Sequence, residues 1–235
     1  MKNILIAALL ACVFSTSFAQ KEIHDANAVV LNVKDYHSIA VSDGIDLFIS
    51  HGEEVVAVSA SEEKYRSRIR AVVDKGVLTI KYDDDSKLGW RGNKKLKAYV
   101  SYKNLYAISA SGGSDVFIDG TVRSKELVIK MSGGSDLSGK VDVDDLRVMQ
   151  SGGSDINISG RAVRVSIDAS GGSDFNGFSL ATDVCTIEAS GASDVEVTVN
   201  KELTARASGA SDISYKGDAT VRESKSNGAS SVRKS

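Results

Sequence analysis

The sequence has 235 residues, enough for one domain with a sizeable core. It is 42% apolar, 26% charged and 6% aromatic, with 21 glycines and no proline, which is typical of a soluble β-rich protein and excludes a disordered chain. The formal net charge is −2 and the basic residues form no patch, so a nucleic-acid-binding surface is excluded.

Residues 1–19 predict a secretory signal peptide. Lys2 gives the positively charged start, residues 4–14 the apolar stretch, and residues 17–19 a small-x-small cleavage site. The apolar stretch is too short to span a bilayer stably, and no later segment predicts a membrane span. We therefore expect an exported protein that resides in the periplasm, at the cell surface or outside the cell.

The next part of the chain, residues 20–110, predicts β-structure. β-Branched residues or period-two alternation indicate strands at residues 28–33, 55–60, 76–80 and 96–102. Residues 62–69 could form one or two helical turns. Residues 39–49 align with residues 108–118, so we interpret them as a diverged first copy, 69 residues upstream, of the repeat that follows.

Residues 82–95 predict an exposed loop between the last two of these strands. The segment is acidic and then basic, and it contains the only tryptophan of the protein, Trp90, beside Arg91. Tryptophan and arginine are typical anchors of binding interfaces. Trp90 and Arg91 are therefore our binding candidates. The alternative is a solvated connection whose tryptophan folds back onto the sheet.

From residue 111 onward a pentapeptide repeats. It begins as Ser111-Gly112-Gly113-Ser114-Asp115. The same five residues return at 132–136, 151–155 and 170–174. Two further copies, at 190–194 and 208–212, have alanine for the second glycine, and a degenerate copy lies at 227–231. The aspartates are 21, 19, 19, 20 and 18 residues apart. A period of about 19 residues indicates one structural unit stacked on itself.

Apolar residues occupy the same places in every copy. Five residues before each pentapeptide lie Tyr106, Leu127, Leu146, Val165, Cys185 and Leu203. The next apolar columns are Ile108, Ile129, Val148, Ile167, Ile187 and Ala205, then Ala110, Met131, Gln150, Ala169, Ala189 and Ala207. Alternation with period two marks strands with one buried face, and the repeated columns place successive strands side by side in register. Cys185 is therefore interpreted as a buried small hydrophobe.

Parallel neighbours joined by so few residues predict an all-β fold, namely a single-stranded right-handed parallel β-helix (β-solenoid) with rungs of about 19 residues. Linking segments such as residues 138–145 are too short for a helical crossover. The right hand follows the bias of parallel crossovers. Residues 111–235 contain the regular repeats and continue the N-terminal part within one domain.

The positions of the pentapeptide differ in their tolerance. The first glycine never changes, so we predict that it needs special backbone angles or a close approach to the next rung. The second becomes alanine in three copies, so we predict ordinary angles there. Alternation places Gly112 and Ser114 inside, and Ser111, Gly113 and Asp115 outside.

The aspartates of the pentapeptides are predicted to stack in one outward column: Asp115, Asp136, Asp155, Asp174, Asp194 and Asp212. Neighbouring carboxylates about 4.8 Å apart repel each other by roughly 1 kcal/mol in water. We interpret each as accepting hydrogen bonds from backbone N–H groups or from the adjacent serine, as in Asx-turns. The favoured prediction includes no metal, and the alternative is a row of calcium ions on these six carboxylates.

The sequence predicts no catalytic residue and no cofactor. The three histidines, His24, His37 and His51, lack the spacing of metal ligands. A carboxylate that recurs at every rung favours a structural role over catalysis. We predict a non-enzymatic binding module or adhesin whose partner is a glycan or an envelope or surface protein. Two alternatives stay open, a polysaccharide lyase or hydrolase on a β-helix and a purely structural envelope protein.

Residues 41–47, the segment 55–80 and the Ser-Gly-Gly-Ser-Asp copies together resemble one family. It is the head GIN domain family of bacterial exported proteins, described as autotransporter adhesins, and the likeness covers about residues 35–220. The resemblance implies a β-helical fold and an exported, surface-exposed location, and it assigns no catalytic or binding residues. One departure is that no C-terminal translocator barrel is evident, so we do not expect this chain to transport itself.

Overall fold

The computed structural model describes residues 25–83 and 94–235. They form a β-solenoid of about seven turns of about 19 residues, 67% strand and 2% helical. The predicted all-β fold of stacked parallel coils is confirmed. The predicted signal peptide, residues 1–19, lies outside the described residues. In the part of the chain that the structure describes, no helix has the length and apolarity needed to cross a membrane.

The rungs of the regular part of the solenoid stack in chain order, and ten strands form them. These strands are β8 (Ala107–Ala110), β9 (Val116–Asp119), β10 (Val122–Gly133), β11 (Asp136–Gly152), β12 (Asp155–Ala169), β13 (Asp174–Ala189), β14 (Asp194–Gly209), β15 (Asp212–Lys216), β16 (Thr220–Gly228) and β17 (Ser231–Lys234). Neighbours are parallel, and Val148 pairs with Ile129 on one side and Ile167 on the other. The predicted register is confirmed, with bulges between β12, β13 and β14.

The N-terminal part contains the remaining elements. They are β1 (Val29–Leu31), β2 (Ser38–Val41), β3 (Asp46–His51), β4 (Val55–Ser59), α1 (Glu63–Arg66), β5 (Ile69–Asp74), β6 (Val77–Tyr82) and β7 (Lys97–Tyr102). Strands β2 and β3 form one rung, which pairs with β8 and β9 on one side and with β6 and β7 on the other. Along the chain, the inner rung (β2 and β3) therefore comes first and the outer rung (β6 and β7) follows. The chain then passes to the other side of the inner rung to form β8 and β9.

Antiparallel strands cover the outer rung. Strand β4 pairs with β7, β1 pairs with β4, and β5 pairs with β6. The β5–β6 hairpin turns at Lys75 and Gly76, whose φ angles of 49° and 77° are those of a two-residue type I′ turn. Strand β5 was not predicted, although Lys-Gly between two apolar runs is a usable hairpin signal.

The diverged first copy behaves as predicted. Ile39 pairs with Ile108, and Leu47 pairs with Val116, so the two copies are neighbouring rungs although they lie 69 residues apart in the chain. Their apolar side chains join one continuous core that runs through the solenoid.

Tyr106 was predicted inside the core, and this prediction was wrong. Its side chain is 51% exposed, whereas Leu105 is 1% exposed and fills the interior one residue earlier. Tyr106 lies just before β8, whose pairing with β10 in the register of the later copies begins at Ala107. The Tyr106 ring lies instead 5.2 Å from the ring of His37.

Candidate functional site

The first glycine of each pentapeptide has the special backbone that was predicted. All seven have positive φ, and a Cβ on Gly191 would lie only 2.5 Å from the carbonyl oxygen of Gly171 in the preceding rung. Among the second glycines, Gly113 alone has positive φ, and a Cβ on Gly172 would meet nothing within 4 Å. The difference between the two positions is confirmed with this one exception.

The predicted inside–outside alternation is right for one pentapeptide position and wrong for another. Ser114 and its equivalents as far as Ser211 are 0% exposed, as predicted for that position. Gly112 and the other first glycines are exposed rather than buried. The chain bends sharply at this glycine, so the alternation of a straight strand does not continue through the bend.

From the fourth pentapeptide onward this serine fastens the bend by a hydrogen bond, whereas the buried Ser154 hydroxyl of the third copy has no partner among the described residues. The hydroxyls of Ser173, Ser193 and Ser211 donate to the carbonyl oxygens three residues earlier, at 3.1, 2.8 and 2.8 Å. The worn last copy keeps the same bond, from Ser230 to Asn227 at 2.8 Å. This serine is therefore a structural residue rather than a ligand contact. Its constancy in every copy was the available signal.

The aspartates stack as predicted, and the column is longer than expected. Each pairs with its equivalent in the next rung from Asp136 to Asp212, and the column continues through Asp115 to Asp46, which pairs with Lys97. We call these seven residues the acidic column: Asp46, Asp115, Asp136, Asp155, Asp174, Asp194 and Asp212. Burial and the charge of Asp115 raise the pKa of the Asp46 carboxyl, and Lys97 opposes them.

The predicted hydrogen bonds to these carboxylates are wrong for the middle of the column. Asp115 accepts the backbone N–H of Asp136 at 3.3 Å, and Asp212 accepts the Ser231 hydroxyl at 2.6 Å. The carboxylates between them make no hydrogen bond or ion pair with the residues that the structure describes, because the adjacent serine hydroxyls point inward: Asp136, Asp155, Asp174 and Asp194. These side chains face solvent.

Some charges on the other faces of the solenoid are paired. Ion pairs join Arg123 to Asp142 at 3.8 Å and Arg206 to Glu188 at 3.1 Å, in each case across neighbouring rungs. Within residues 25–83 and 94–235, no three His, Cys, Asp or Glu side chains are grouped so that they could hold a metal ion. The calcium alternative therefore stays a prediction without a supporting geometry.

A second outward column lies beside the acidic column, two residues further along each strand. At its N-terminal end the rings of Tyr99, Phe48 and Phe117 stack across three rungs, with centroids 5.3 and 5.0 Å apart and interplanar angles of 21° and 17°. We call them the aromatic ladder. Beyond Phe117 the column continues with Ser138, Asn157, Asn176, Glu196, Ser214 and Arg233. Among these, Ser214 is buried, and its hydroxyl accepts the N–H of the Arg233 side chain at 3.2 Å.

The two ends of the aromatic ladder differ. Tyr99 is anchored, because its hydroxyl donates to the Asp25 carboxylate at 2.9 Å, and burial together with this bond raises the pKa of Tyr99 to about 12. Phe117 at the other end is 39% exposed. The sequence did not predict the ladder, since its three rings come from segments that only the strand order brings together.

The predicted binding candidates Trp90 and Arg91 lie outside the described residues, which omit 84–93. The boundaries of the predicted exposed loop, residues 82–95, need correction. Tyr82 and Lys94 are each 7% exposed, because Tyr82 ends a core strand and the Lys94 ammonium lies 4.3 Å from its ring centroid. Just after this loop, the carbonyl oxygen of Leu96 accepts the N–H of Asp46 at 3.0 Å.

A groove of about 530 Å³ runs along the strands that precede the pentapeptides. Small or flexible side chains such as Thr79, Ser109 and Met149 line it, with Lys130 and Asp168 as its charges. It has no aromatic lining. We therefore take the face that carries the acidic column and the aromatic ladder as the candidate site.

Cys185 lies away from that face, in the core. It is 1% exposed, and burial raises the pKa of its thiol to about 12. A protonated, buried thiol is a poor nucleophile. The predicted role of Cys185 as a small core hydrophobe is confirmed.

Comparisons with known proteins identify both a family and a fold. A family model described as "Putative auto-transporter adhesin, head GIN domain" matches residues 35–219. The chain is similar to a solved structure named a putative adhesin from Bacteroides fragilis, at 20% identity and a TM-score of 0.81, covering 88% of this chain and 96% of that one. No curated protein matches.

Two further solved structures from Parabacteroides distasonis are similar to the chain. One is named a putative adhesin, with 23% identity and a TM-score of 0.63, and the other a putative lipid binding protein, with 18% identity and a TM-score of 0.68. The alignments cover 88% of this chain and 96% of each of those chains. At these identities the likeness shows a shared fold.

Proposed function

Because the chain belongs to the family described as "Putative auto-transporter adhesin, head GIN domain", we propose that it is an exported, non-enzymatic binding module with an adhesin-type role at the cell envelope or surface. The supporting observation is the outward face beside the pentapeptides. There the same polar side chains recur in register from rung to rung, as in the pairs of Asp155 with Asp136 and Asp174. A repeated surface of this kind suits an extended ligand that contacts several rungs at once.

The same repetition favours binding over catalysis. A catalytic acid acts from one distinct setting, whereas these carboxylates occupy equivalent, solvent-facing positions on successive rungs. Glycosidases use a pair of carboxyl groups placed on either side of the scissile bond. The carboxylates of the acidic column lie on one face and point the same way.

Among ligand classes, a glycan fits this face better than a lipid. Its exposed groups are carboxylates, amides, hydroxyls and a short run of aromatic rings, which match the mixed polar and apolar surface of a sugar. One similar structure is named a putative lipid binding protein. The groove on the neighbouring strands combines apolar side chains such as Val41 and Met149 with the charges of Lys130 and Asp168.

A glycan array run beside a reducing-sugar assay tests the proposal. We expect the mature wild-type chain to be retained on a subset of glycans without releasing new sugar ends. Trp90→Ala and Arg91→Ala, at the candidates predicted from the sequence, are expected to weaken retention. Release of sugar ends would overturn the non-enzymatic assignment. Retention of no glycan at all would contradict glycan binding and favour a structural envelope protein.

A further inference from the structure

The aromatic ladder ends at Phe117, although its column continues through six further rungs. Its ring spacings of 5.3 and 5.0 Å follow the distance between rungs, about 4.8 Å in any sheet. The next position after Phe117 is Ser138, which pairs with it and is exposed. A serine side chain is too small to cover a benzene ring. The face of Phe117 that points toward the next rung is therefore left open to solvent, consistent with its 39% exposure.

We propose that the space over Ser138, against the open face of Phe117, is a subsite for one pyranose ring of a neutral polysaccharide. This inference rests on the proposed function and gives it a ligand class and a position. The C–H face of a pyranose is flat and apolar, so it can take the place of the next ring in the ladder. Stacking against an exposed aromatic ring buries apolar surface on both partners.

The flanking side chains suit the rim of such a ring. Asp115 and Asp136 lie two residues before Phe117 and Ser138 on the same outward face, in the acidic column. Asp136 makes no side-chain hydrogen bond with the described residues, so its carboxylate is available to accept bonds from sugar hydroxyls. Hydrogen bonds to a charged acceptor are stronger than those between neutral groups. The ring would thus stack on Phe117 and be oriented by carboxylates along one edge.

The column beyond Ser138 offers a path for a longer chain. Asn157 and Asn176 follow in register, and both are exposed. Each amide carries donors and an acceptor, which is the set that hydroxyl groups need. The distance between rungs is close to the length of one sugar unit in an extended glycan. Successive sugars can therefore meet Ser138, Asn157 and Asn176 in turn.

The charge of this face determines the class of polysaccharide. The acidic column runs beside the whole path and is not neutralised in its middle, so a glycan that carries carboxylates or sulfates is repelled at every rung. Like charges at one rung spacing repel each other in water, and the repulsion adds up along the chain. A neutral glycan avoids this cost and keeps the hydrogen bonds.

Calorimetric titration with defined oligosaccharides tests the subsite. The neutral probes are cellohexaose, mannohexaose, maltohexaose and laminarihexaose, and the acidic probe is hexagalacturonate. Ser138→Leu fills the subsite with an aliphatic side chain, covers the open face of Phe117 and adds no new aromatic face on which a sugar could stack. The matched control is Ser166→Leu, at an exposed serine on β12 outside this face. We expect Ser138→Leu to weaken the binding of the neutral probe by roughly tenfold or more, and the control to change it by no more than about twofold.

Each outcome has a distinct meaning. If the wild-type chain binds a neutral hexasaccharide and Ser138→Leu, shown to be folded by circular dichroism, binds it equally well, the subsite is wrong while the proposed function stands. If hexagalacturonate binds more tightly than every neutral probe, the neutral ligand class is overturned. If the wild-type chain binds no hexasaccharide and is also retained by no glycan on the array, the proposed function fails together with the subsite.

Discussion

The two parts of the solenoid reach the same stacked architecture by different routes. In the regular part, residues that pair across rungs are about 19 apart in the chain, as in Asp136 with Asp155. In the N-terminal part they are much further apart, as in Ile39 with Ile108 and Asp46 with Lys97. Parallel stacking alone leaves an open edge at each end of a solenoid. In the N-terminal part, the antiparallel strands β4 and β5 cover one of these ends by pairing with β7 and β6.

The bend at each rung shows the same contrast. In the regular part the second residue of the pentapeptide is always glycine, because its φ is positive and the bend of the preceding rung lies within contact distance. In the diverged copy this position is Asp43, with φ 67°. Its carboxylate accepts the hydroxyl of Ser42 at 2.8 Å and the N–H of Tyr82 at 3.2 Å. Aspartate is one of the few non-glycine residues that tolerate this region, and here its side chain bonds compensate the strain.

The largest expected effect comes from removing a rung in one part and an equal length in the other. Deleting residues 137–155 joins Asp136 to Ile156 in the same register, so a shorter and still cooperative solenoid should form. Deleting residues 52–70 removes β4 and α1, exposes the edge of β7, and should give an aggregated protein. Size-exclusion chromatography and thermal melts by circular dichroism measure both. Equal tolerance of the two deletions would mean that the antiparallel strands are not needed as a cap.

The next effect concerns the two glycines of the bend. Gly191→Ala forces a Cβ into a positive-φ position 2.5 Å from the Gly171 carbonyl oxygen, so we expect it to lower the free energy of unfolding. The expected loss is about 3 kcal/mol. Gly172→Ala meets no atom and should change stability by no more than about 0.5 kcal/mol. Urea unfolding of both variants measures the difference, and similar values would show that the bend relaxes freely.

The buried serine gives a smaller effect. Ser193→Ala removes the hydroxyl that donates to the Ser190 carbonyl at 2.8 Å inside the solenoid. We expect a loss of about 1 kcal/mol in the free energy of unfolding. In the diverged copy this position is occupied by Ile45, which is also 0% exposed, so the interior itself accepts an apolar residue. The control Ser190→Ala should cost less, and a neutral Ser193→Ala would contradict the fastening role.

The sequence allows the regular part to be predicted because its constraint is local. The bend requires glycine at one position, so the period and the strand register can be read from Gly133, Gly152 and their equivalents. The N-terminal order could not be predicted in this way, since no pentapeptide marks the bend between β6 and β7. The exposure of Gly112 and the missing hydrogen bonds of Asp155 were mispredicted for one reason. Both depend on the direction in which the chain bends, and period-two alternation gives no information about that direction.

The smallest effect is electrostatic and concerns the N-terminal end of the acidic column. Burial and the charge of Asp115 raise the pKa of Asp46 above its ordinary value of 3.8, with Lys97 opposing. The folded protein therefore binds this proton more readily than the unfolded chain does. Ionised Asp46 then lowers stability, and this cost appears as the pH rises from the ordinary carboxyl pKa through the raised value.

Asp46→Asn should accordingly raise the free energy of unfolding at pH 7, by no more than about 1 kcal/mol, which is the repulsion expected at one rung spacing in water. The gain should shrink as the pH falls below the ordinary carboxyl pKa, because both states are then protonated. At the other end of the column Asp212 accepts the Ser231 hydroxyl at 2.6 Å, so Asp212→Asn should bring no gain. Urea unfolding of the two variants at several pH values measures the change in the free energy of unfolding at each end of the acidic column. A loss of stability in Asp46→Asn at pH 7 would mean that the attraction of Lys97 outweighs both burial and Asp115.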